Sequence, residues 1–196
     1  MTRASGFVVW LTGLPAAGKT ALAYAMQEQL QACGVHTVVL DSDDLRAVLT
    51  PEPVYTAAER DWFYGVIVYL AAWLARSGVN VLIAATANRA VYRKRARRQI
   101  ARFAEVHVQC ALDVCRQRDP KGIYALAESG DADHVPGLGV AYEPPVNPEA
   151  VVDTTVRLPA EAACAALIQL ELEQFIRGTD YASSPTPPTR SALQNV

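Results

Sequence analysis

An eight-residue stretch near the amino end has the residue types and spacing of a phosphate-binding loop. Two glycines, a lysine and a threonine occur as Gly13-x-x-x-x-Gly18-Lys19-Thr20, between an apolar run and an alanine-rich helical pattern. Glycine permits the backbone angles that let main-chain N–H groups converge on a phosphate. Lysine can then reach the β- and γ-phosphates, and the threonine hydroxyl can hold Mg²⁺. The predicted nucleotide-binding residues are Gly13, Leu14, Pro15, Ala16, Ala17, Gly18, Lys19 and Thr20, with Thr20 as the metal ligand.

A cluster of carboxylates follows the second strand-like run, in Leu40-Asp41-Ser42-Asp43-Asp44-Leu45-Arg46. Ligands of parallel α/β proteins bind beyond the carboxyl ends of the strands. Asp43 could accept the proton of an attacking hydroxyl, or orient it, and Arg46 could hold an anionic acceptor. A structural alternative is that Ser42 or Asp43 caps the next helix. This segment alone leaves both interpretations open.

The elements that must position these residues alternate between short apolar runs and helical patterns. Runs rich in Val, Ile and Leu predict strands at 7–12, 37–41, 79–85, 105–110 and 151–158. Apolar periodicity predicts helices at 18–33, 43–50, 56–77, 89–103, 112–118 and 160–177. Near-continuous apolar strands separated by helices are typical of a parallel sheet covered on both faces. The fold is therefore predicted to be a three-layer α/β sandwich with a five-stranded parallel sheet.

Two segments interrupt this alternation. Residues 119–148 contain five prolines and four glycines without a long apolar period, which predicts a functional lid or a disordered loop. Residues 178–196 are rich in Pro, Ser and Thr and are expected to form a flexible tail. We therefore expect one domain over residues 1–177.

Composition limits the partners and the compartment. The net charge of −2 gives no overall attraction for a polyanion, so nucleic acid is not expected as a partner. The most apolar internal stretch, 66–75, is about half of what a spanning helix needs, and no membrane partner is expected. The four cysteines lack paired spacing, which favours buried thiols in a reducing compartment. With no secretory signal visible, the cytoplasm is the expected location.

Residues 89–102 carry seven basic side chains. Arg89, Arg93 and Arg97 recur at i, i+4 and i+8, on one face of a predicted helix. A solvated helix face is expected for most of these side chains. Nucleic-acid binding receives little support, because no set of aromatic residues is interleaved with the basic ones and the whole chain is slightly acidic.

Five segments together resemble one family of kinases, in that family's order and spacing over residues 7–158. They are the phosphate loop, Leu40–Arg46, Tyr55-Thr56-Ala57-Ala58-Glu59-Arg60, Cys115-Arg116-Gln117-Arg118-Asp119-Pro120-Lys121-Gly122-Ile123-Tyr124, and Tyr142-Glu143-Pro144-Pro145 with Asn147-Pro148-Glu149. They resemble the patterns G-L-S-G-A-G-K-S/T, L-D-G-D-x-x-R, F-S-x-x-D-R, C-x-x-R-D-P-K-G-L-Y and Y-E-x-P-x-x-P-E of adenylylsulfate (APS) kinases. Members of this family use ATP to phosphorylate the 3′-hydroxyl of adenosine 5′-phosphosulfate.

The resemblance implies roles for single residues. Asp43 would lie near the transferred phosphoryl group, while Arg46 and Arg60 would bind the phosphosulfate of the acceptor. Lys121 would belong to the mobile lid over the acceptor, and Arg118 would lie near the donor nucleotide.

The segment Ala85-Thr86-Ala87-Asn88-Arg89 matches the family's I-S-P-x-R pattern. The resemblance places Thr86 among the catalytic residues and Arg89 at the acceptor. It also implies ATP and Mg²⁺ as cofactors and a homodimer.

Two departures from the family pattern concern the acceptor. In the family's D-R-x-x-N-x-R-R, the asparagine position is Phe63, and Gly65 and Val66 replace the two following arginines. The lid's F-T-G-I, whose aromatic ring stacks on the acceptor's adenine, is here Val135-Pro136-Gly137-Leu138. Two alternatives to APS phosphorylation therefore stay open: a related kinase with another nucleotide conjugate or a small metabolite as acceptor, and a nucleotide-binding regulatory module without turnover.

Overall fold

The computed structural model describes residues 5–130 and 135–170, within which five strands and seven helices follow one another. The strands are β1 Val8–Thr12, β2 Thr37–Asp41, β3 Asn80–Ala84, β4 Phe103–Gln109 and β5 Ala150–Asp153. The helices are α1 Lys19–Ala32, α2 Ser42–Leu49, α3 Ala57–Arg76, α4 Ala90–Gln99, α5 Leu112–Arg118, α6 Ile123–Glu128 and α7 Pro159–Gln169.

The five strands form one parallel sheet in the order β2-β3-β1-β4-β5. Strand β1, with the sequence VVWLT, is buried along its whole length, as an apolar central strand of a parallel sheet must be. The chain leaves β1 toward β2 and β3 on one side and later returns to β4 on the other. The loop after β1 thus lies at the topological switch point, where parallel α/β sheets bind ligands.

Helices cover both faces of the sheet. Val9 and Leu11 of β1 pack with Met26 and Leu30 of α1, in the layer that also includes α7. The alternate residues of β1 pack on the opposite face with α3 and α4, since successive strand residues point to opposite sides. The predicted three-layer sandwich with a five-stranded parallel sheet is confirmed.

Several predicted boundaries were wrong. Strand β5 ends at Asp153 rather than 158, because the Thr154 hydroxyl turns inward and donates to the carbonyl oxygens of Ala17 and Gln109 (2.8 and 2.9 Å). The predicted helix 89–103 ends at Gln99, and the chain enters β4 at Phe103 beside Val8. Helix α6 was not predicted and lies within the segment expected to be a functional lid or a disordered loop.

Three predictions extend wholly or partly beyond the residues that the structure describes. The tail at 178–196 and the end of the predicted helix 160–177 lie outside the described residues, as do lid residues 131–134. No helix within 5–130 or 135–170 combines the length and the apolar character that crossing a bilayer requires. All four cysteines lie in the described ranges as free thiols.

Candidate active site

The phosphate loop joins β1 to α1 through positions that exclude most side chains. A Cβ at Gly13 would lie 2.3 Å from the carbonyl oxygen of Val108, so only glycine fits beside β4. Gly18, directly before α1, has a φ of 85°, in the left-handed region that favours glycine. The Lys19 ammonium donates to the carbonyl oxygens of Gly13 (3.2 Å) and Leu14 (2.8 Å). The loop is thus folded around its own lysine.

The environment of Lys19 disfavours its charge. Burial lowers the pKa of the Lys19 ammonium to about 8, while the nearby Asp43 and Asp41 carboxylates act in the opposite direction. The ammonium of Lys121 adds a smaller repulsion. Two carboxylates and two ammonium groups therefore influence one another at this edge of the sheet, and a polyphosphate placed among them would favour the charged lysine.

The two carboxylate oxygens of Asp41, the last residue of β2, accept different hydrogen bonds. Its Oδ2 accepts a hydrogen bond from the Thr20 hydroxyl at 2.6 Å, and its Oδ1 accepts one from the N–H of Asp43 at 2.8 Å. Asp41 therefore caps α2, and the hypothesis that Ser42 or Asp43 caps it was wrong. The carboxylate and hydroxyl pair consists of the oxygen ligands that Mg²⁺ prefers, and the site fits a nucleotide-bound metal.

Asp41 was not among the predicted site residues, although it lies in the predicted acidic cluster. A signal was present, since the residue that ends a parallel strand beside the phosphate loop is well placed to meet the loop's hydroxyl. Asp43, one helical position into α2, forms an ion pair with Lys121 of the lid segment. Both side chains of this pair remain more than half exposed.

A second group of charges lies between α2 and α3. Arg46 of α2 pairs with Glu59 of α3 at 2.7 Å, with only 12% and 13% of these side chains exposed. The Arg46 guanidinium also lies over the ring of Phe63 (3.9 Å) and that of Tyr55 (4.9 Å). Although burial acts to raise it, the N–H groups of Val54 and Tyr55 and the Arg46 guanidinium hold the pKa of Glu59 below its ordinary value.

Arg60 extends this group from the next position of α3. Its side chain is largely buried, its Nε donates to the Tyr55 carbonyl oxygen at 3.1 Å, and its guanidinium lies 5.3 Å from the Tyr55 ring centre. Tyr55 itself has a φ of 54°, an unusual conformation for a residue with a large side chain. The guanidinium groups of Arg46 and Arg60 therefore both lie over the ring of Tyr55, as two cations that could share an anion.

The loop between β3 and α4 carries two more predicted site residues. The backbone oxygen of Thr86 accepts a hydrogen bond from Thr12 at the end of β1 (2.6 Å), so this loop lies beside the phosphate loop. Ala87 has a φ of 42°, and its N–H is held by the buried Tyr64 hydroxyl at 3.0 Å. Arg89, which directly precedes α4, is exposed.

Arg93 is buried, and the prediction that it belongs to a solvated helix face was wrong. Its guanidinium pairs with Glu105 of β4 and donates to the carbonyl oxygens of Ala87 and Glu143. One turn later, Arg97 makes two bonds to the Glu149 carboxylate (2.6 and 2.8 Å). Helix α4 therefore contributes a buried ion pair to the interior as well as charged side chains to the surface.

The carboxyl-terminal end of the lid segment is fixed to the same loop. The N–H of Glu143 donates to the Asn88 carbonyl oxygen at 2.7 Å, and the Glu143 carboxylate accepts from the N–H of Ala90, also at 2.7 Å. The Tyr142 hydroxyl lies 3.1 Å from that of Thr12. The Tyr-Glu-Pro-Pro segment therefore joins the lid to the β3–α4 loop.

The lid also contacts the phosphate loop itself. The Tyr124 hydroxyl donates to the Pro15 carbonyl oxygen at 3.0 Å, and a Cβ at Gly137 would lie 2.8 Å from the Leu14 side chain. Val135 is 3% exposed and belongs to the core cluster that Leu14 packs against. Its side chain thus contributes to the core.

Arg118 lies at the opposite side of the sheet from the Arg46 group. Its guanidinium donates to the carbonyl oxygen of Thr154 at 2.7 Å, directly after β5, and approaches the Cys110 sulfur at 3.5 Å. A cleft of about 470 Å³ opens nearby, lined in part by Leu14, Tyr142 and the ends of β4 and β5. The phosphate loop therefore has one candidate ligand region on each side.

Comparison with known proteins agrees with this geometry. Residues 5–153 match the family model described as adenylylsulphate kinase. The chain is 41% identical over 176 residues to an adenylyl-sulfate kinase of Synechococcus sp. (strain JA-3-3Ab), which covers 90% of this chain and 97% of that protein. It is 39% identical over 148 residues to a probable adenylyl-sulfate kinase of Archaeoglobus fulgidus, covering 76% and 96%.

A solved structure shows the same likeness. The Mycobacterium tuberculosis APS kinase, solved in complex with AMPPNP and APS, superposes with a TM-score of 0.79 at 33% identity, covering 85% of this chain and 98% of that one. A gluconokinase from Sinorhizobium meliloti, at a TM-score of 0.60 and 20% identity, shares the fold.

Proposed function

Because the chain belongs to the adenylylsulphate kinase family, we propose that it transfers the γ-phosphoryl group of ATP to the 3′-hydroxyl of adenosine 5′-phosphosulfate. The product would be 3′-phosphoadenosine 5′-phosphosulfate, the activated form of sulfate. One observation carries the proposal beyond family membership: the Asp43–Lys121 pair joins α2 to the lid segment, close enough to Lys19 for both charges to influence its pKa.

On the donor side, the loop residues 13–20 would hold the ATP phosphates through main-chain N–H groups and the Lys19 ammonium. Mg²⁺ would be held at Thr20 with Asp41 behind it, where the ion neutralises charge on the phosphates. Arg118 would lie along the nucleotide at the end of β5.

On the acceptor side, Arg46 and Arg60 would bind the phosphosulfate through their paired guanidinium groups. The ion pair between Asp43 and Lys121 would break, and Asp43 would orient the attacking hydroxyl. The freed Lys121 would cover the acceptor as part of the lid. Thr86 and Arg89 would complete this side from the β3–α4 loop. Catalysis would then consist of positioning and charge neutralisation, with water excluded by the lid.

An alternative acceptor is favoured by one observation. Val135 is buried in the core, at the position where the family pattern has an aromatic residue that stacks on adenine. A kinase of the same chemistry that acts on another nucleotide conjugate or a small metabolite would not need that stack. On the acceptor side, the ring of Tyr55 already has the guanidinium groups of Arg46 and Arg60 over it, at 4.9 and 5.3 Å.

The decisive experiment measures ADP release from Mg·ATP with and without APS in a coupled assay, with Lys19→Ala as the blank. Lys94→Ala, which removes an exposed lysine of α4, is the matched control and should retain full activity. Turnover that depends on APS and is lost in Lys19→Ala would support the proposal. Nucleotide binding without APS-dependent turnover would contradict it, and a panel of other hydroxyl acceptors would then identify the substrate.

Two further features belong to the proposal. The free thiols of all four cysteines fit a reducing compartment, and we place the protein in the cytoplasm on that basis. The family resemblance implies a homodimer. A hexameric APS kinase from Thiobacillus denitrificans, 28% identical with a TM-score of 0.64, is a structural relative that assembles with copies of itself.

A further inference from the structure

Ala87, in the loop between β3 and α4, has a backbone conformation that its residue type disfavours. Its φ of 42° lies in the left-handed region, where a Cβ crowds the backbone. Ala87 occupies the proline position of the family's I-S-P-x-R pattern. Proline fixes φ at about −65° and has no N–H group. The loop of this chain therefore has a conformation at position 87 that proline cannot adopt, and an additional buried N–H group that needs a partner.

The hydroxyl of Tyr64, in α3, is the partner of this N–H group. The N–H of Ala87 donates to the hydroxyl oxygen at 3.0 Å, and both residues are buried. Burial raises the pKa of the Tyr64 hydroxyl, so the group stays protonated and uncharged at neutral pH. The ring of Tyr64 is itself held by stacking on Tyr92 of α4, with the ring centres 4.5 Å apart. The hydroxyl is therefore presented to the loop from a packed aromatic support.

Other side chains fix the carbonyl groups of this loop. Three successive carbonyl oxygens accept hydrogen bonds from buried side chains: Ala85 from Trp10, Thr86 from Thr12 and Ala87 from Arg93. The N–H of position 87 depends on α3 instead. Without the hydroxyl, an unsatisfied buried N–H and a disfavoured φ would both drive the loop toward another conformation. The conformation at position 87 therefore relies on one side-chain hydrogen bond.

This hydrogen bond joins two elements that we assign to the acceptor. Tyr64 belongs to α3, and the guanidinium charges of Arg46 and Arg60 are near enough to act on the pKa of its hydroxyl, in the direction opposite to burial. Ala87 belongs to the loop that carries the other two proposed acceptor residues. A change of φ at position 87 would reorient the residues on either side, because the backbone rotates about its φ and ψ bonds alone. The bond thus fixes the loop relative to α3.

We propose that Tyr64 is a positioning residue of the acceptor site, because its hydroxyl holds Ala87 in the left-handed conformation. The loop fixed in this way presents Thr86 and Arg89 to the acceptor. In this chain the hydroxyl restrains the backbone at position 87, as a proline ring would in the family pattern. The inference rests on the proposed function, since it assigns a role at the acceptor, and it requires no change in ATP binding.

The first test removes the hydroxyl alone. Tyr64→Phe keeps the ring and its stack on Tyr92 but leaves the N–H of Ala87 without its acceptor. We expect kcat/KM for APS to fall about 5- to 150-fold, with the KM for Mg·ATP unchanged, because a buried donor loses its partner. Tyr92→Phe is the matched control and should keep both values. It removes a buried hydroxyl that has no hydrogen-bond partner within residues 5–130 and 135–170.

Substitutions at position 87 distinguish positioning from a general loss of packing. Glycine adopts a φ of 42° without strain, so Ala87→Gly combined with Tyr64→Phe should recover part of the lost kcat/KM. A double variant that recovers nothing would contradict the role of the left-handed conformation. Ala87→Pro introduces the residue of the family pattern, yet it should lower kcat/KM for APS at least as much as Tyr64→Phe. A fully active Ala87→Pro enzyme would overturn the proposal.

Hydrogen exchange measured by mass spectrometry follows the loop in the absence of any acceptor. In the free protein, peptides that cover residues 85–89 should exchange about tenfold faster in Tyr64→Phe than in wild type, and at the wild-type rate in Tyr92→Phe. Unchanged exchange in Tyr64→Phe, or an unchanged kcat/KM for APS, would overturn the proposal. If the wild-type chain shows no turnover with APS, the kinase assignment fails, and the exchange rates alone decide whether Tyr64 holds the loop.

Discussion

The guanidinium of Arg46 lies 3.9 Å from the ring centre of Phe63, which occupies the position of an asparagine in the family pattern. Glu59 holds the same guanidinium from the side at 2.7 Å. A cation over an aromatic face is stabilised by the ring's quadrupole, and more strongly where water is excluded. The phenylalanine therefore supports the arginine that we assign to the phosphosulfate.

Replacing that ring should weaken acceptor binding. Phe63→Leu keeps most of the apolar volume but removes the cation–π contact, which is worth about 0.5–2 kcal/mol. We expect the KM for APS to rise about 2- to 30-fold with a smaller change in kcat, in initial-rate measurements at saturating Mg·ATP. Phe103→Leu, which removes a similar contact with Arg97 outside the site, is the matched control. An unchanged KM in Phe63→Leu would show that the ring does not position Arg46.

Nucleotide binding should take up a proton through Lys19. With a pKa of about 8 in the free protein, this lysine is largely neutral at pH 8.5, and phosphates beside it would restore the charge. Calorimetry in two buffers of different ionisation enthalpy should show uptake of roughly 0.7 proton per nucleotide at pH 8.5 and almost none at pH 6.5. Lys19→Arg, which stays charged, should show none at either pH. Equal uptake by the arginine variant would assign the proton to another group.

The same lysine should make the free protein's stability depend on alkaline pH. Its folded pKa of about 8 lies below the ordinary value of 10.5, so the unfolded chain binds more protons between these values. The contribution of Lys19 to stability is then fully present above pH 10.5 and is lost as the pH falls through 8. Relative to wild type, Lys19→Met should therefore gain stability in urea denaturation at pH 7 and lose that advantage as the pH rises toward 10.5.

Arg93 should be important for folding because it is a buried cation with a buried partner. Arg93→Met leaves Glu105 without its main countercharge and should cost about 3–5 kcal/mol of unfolding free energy. Arg97→Met makes the same substitution one turn later, where 40% of the side chain is exposed, and should cost about 1 kcal/mol or less. Urea denaturation of both variants measures the difference. Equal losses would mean that the contribution of the Arg93–Glu105 pair to the unfolding free energy does not depend on its burial.

Asp41 should control the magnesium requirement. Asp41→Asn keeps an acceptor for the N–H of Asp43 but removes the charge beside Thr20. Partners of metal ligands typically change metal affinity by about 10- to 100-fold. The Mg²⁺ concentration for half-maximal activity at fixed ATP should therefore rise about tenfold or more. Asp44→Asn, which neutralises an exposed carboxylate of the same helix, should leave it unchanged.

The sequence predicted the features that depend on residues close to one another along the chain. The phosphate loop consists of consecutive residues whose backbone requirements select glycine, and the apolar runs identify the strands because a parallel sheet buries both faces. The role of Arg93 could not be predicted in this way. Its burial depends on Glu105, in a strand twelve residues away, and on Glu143, fifty residues away. Asp41 differs from Arg93, because its position at the end of the second predicted strand was a signal in the sequence, although its hydrogen bond to Thr20 was not.

The lid segment shows a second reason why sequence patterns could not predict the whole structure. Helix α6 has six residues, too few for a 3.6-residue period to be recognised, and its amino end is fixed by Asp119, which accepts from the N–H groups of Ile123 and Tyr124 (2.9 and 3.0 Å). Val135 could be recognised in the sequence as a departure from the family pattern. Its place in the core follows from packing within a cluster of residues from distant parts of the chain, which a pattern comparison does not contain.

The two attachments of the lid to the phosphate loop, at Pro15 and Leu14, bear on how the reaction cycle ends. Opening of this segment would break its contacts with the loop that we expect to hold ADP. We expect the departure of the two products to be linked, with the first to leave loosening the hold on the second. The turnover rate would then be limited by lid opening and product release rather than by bond breaking, as it is in many enzymes.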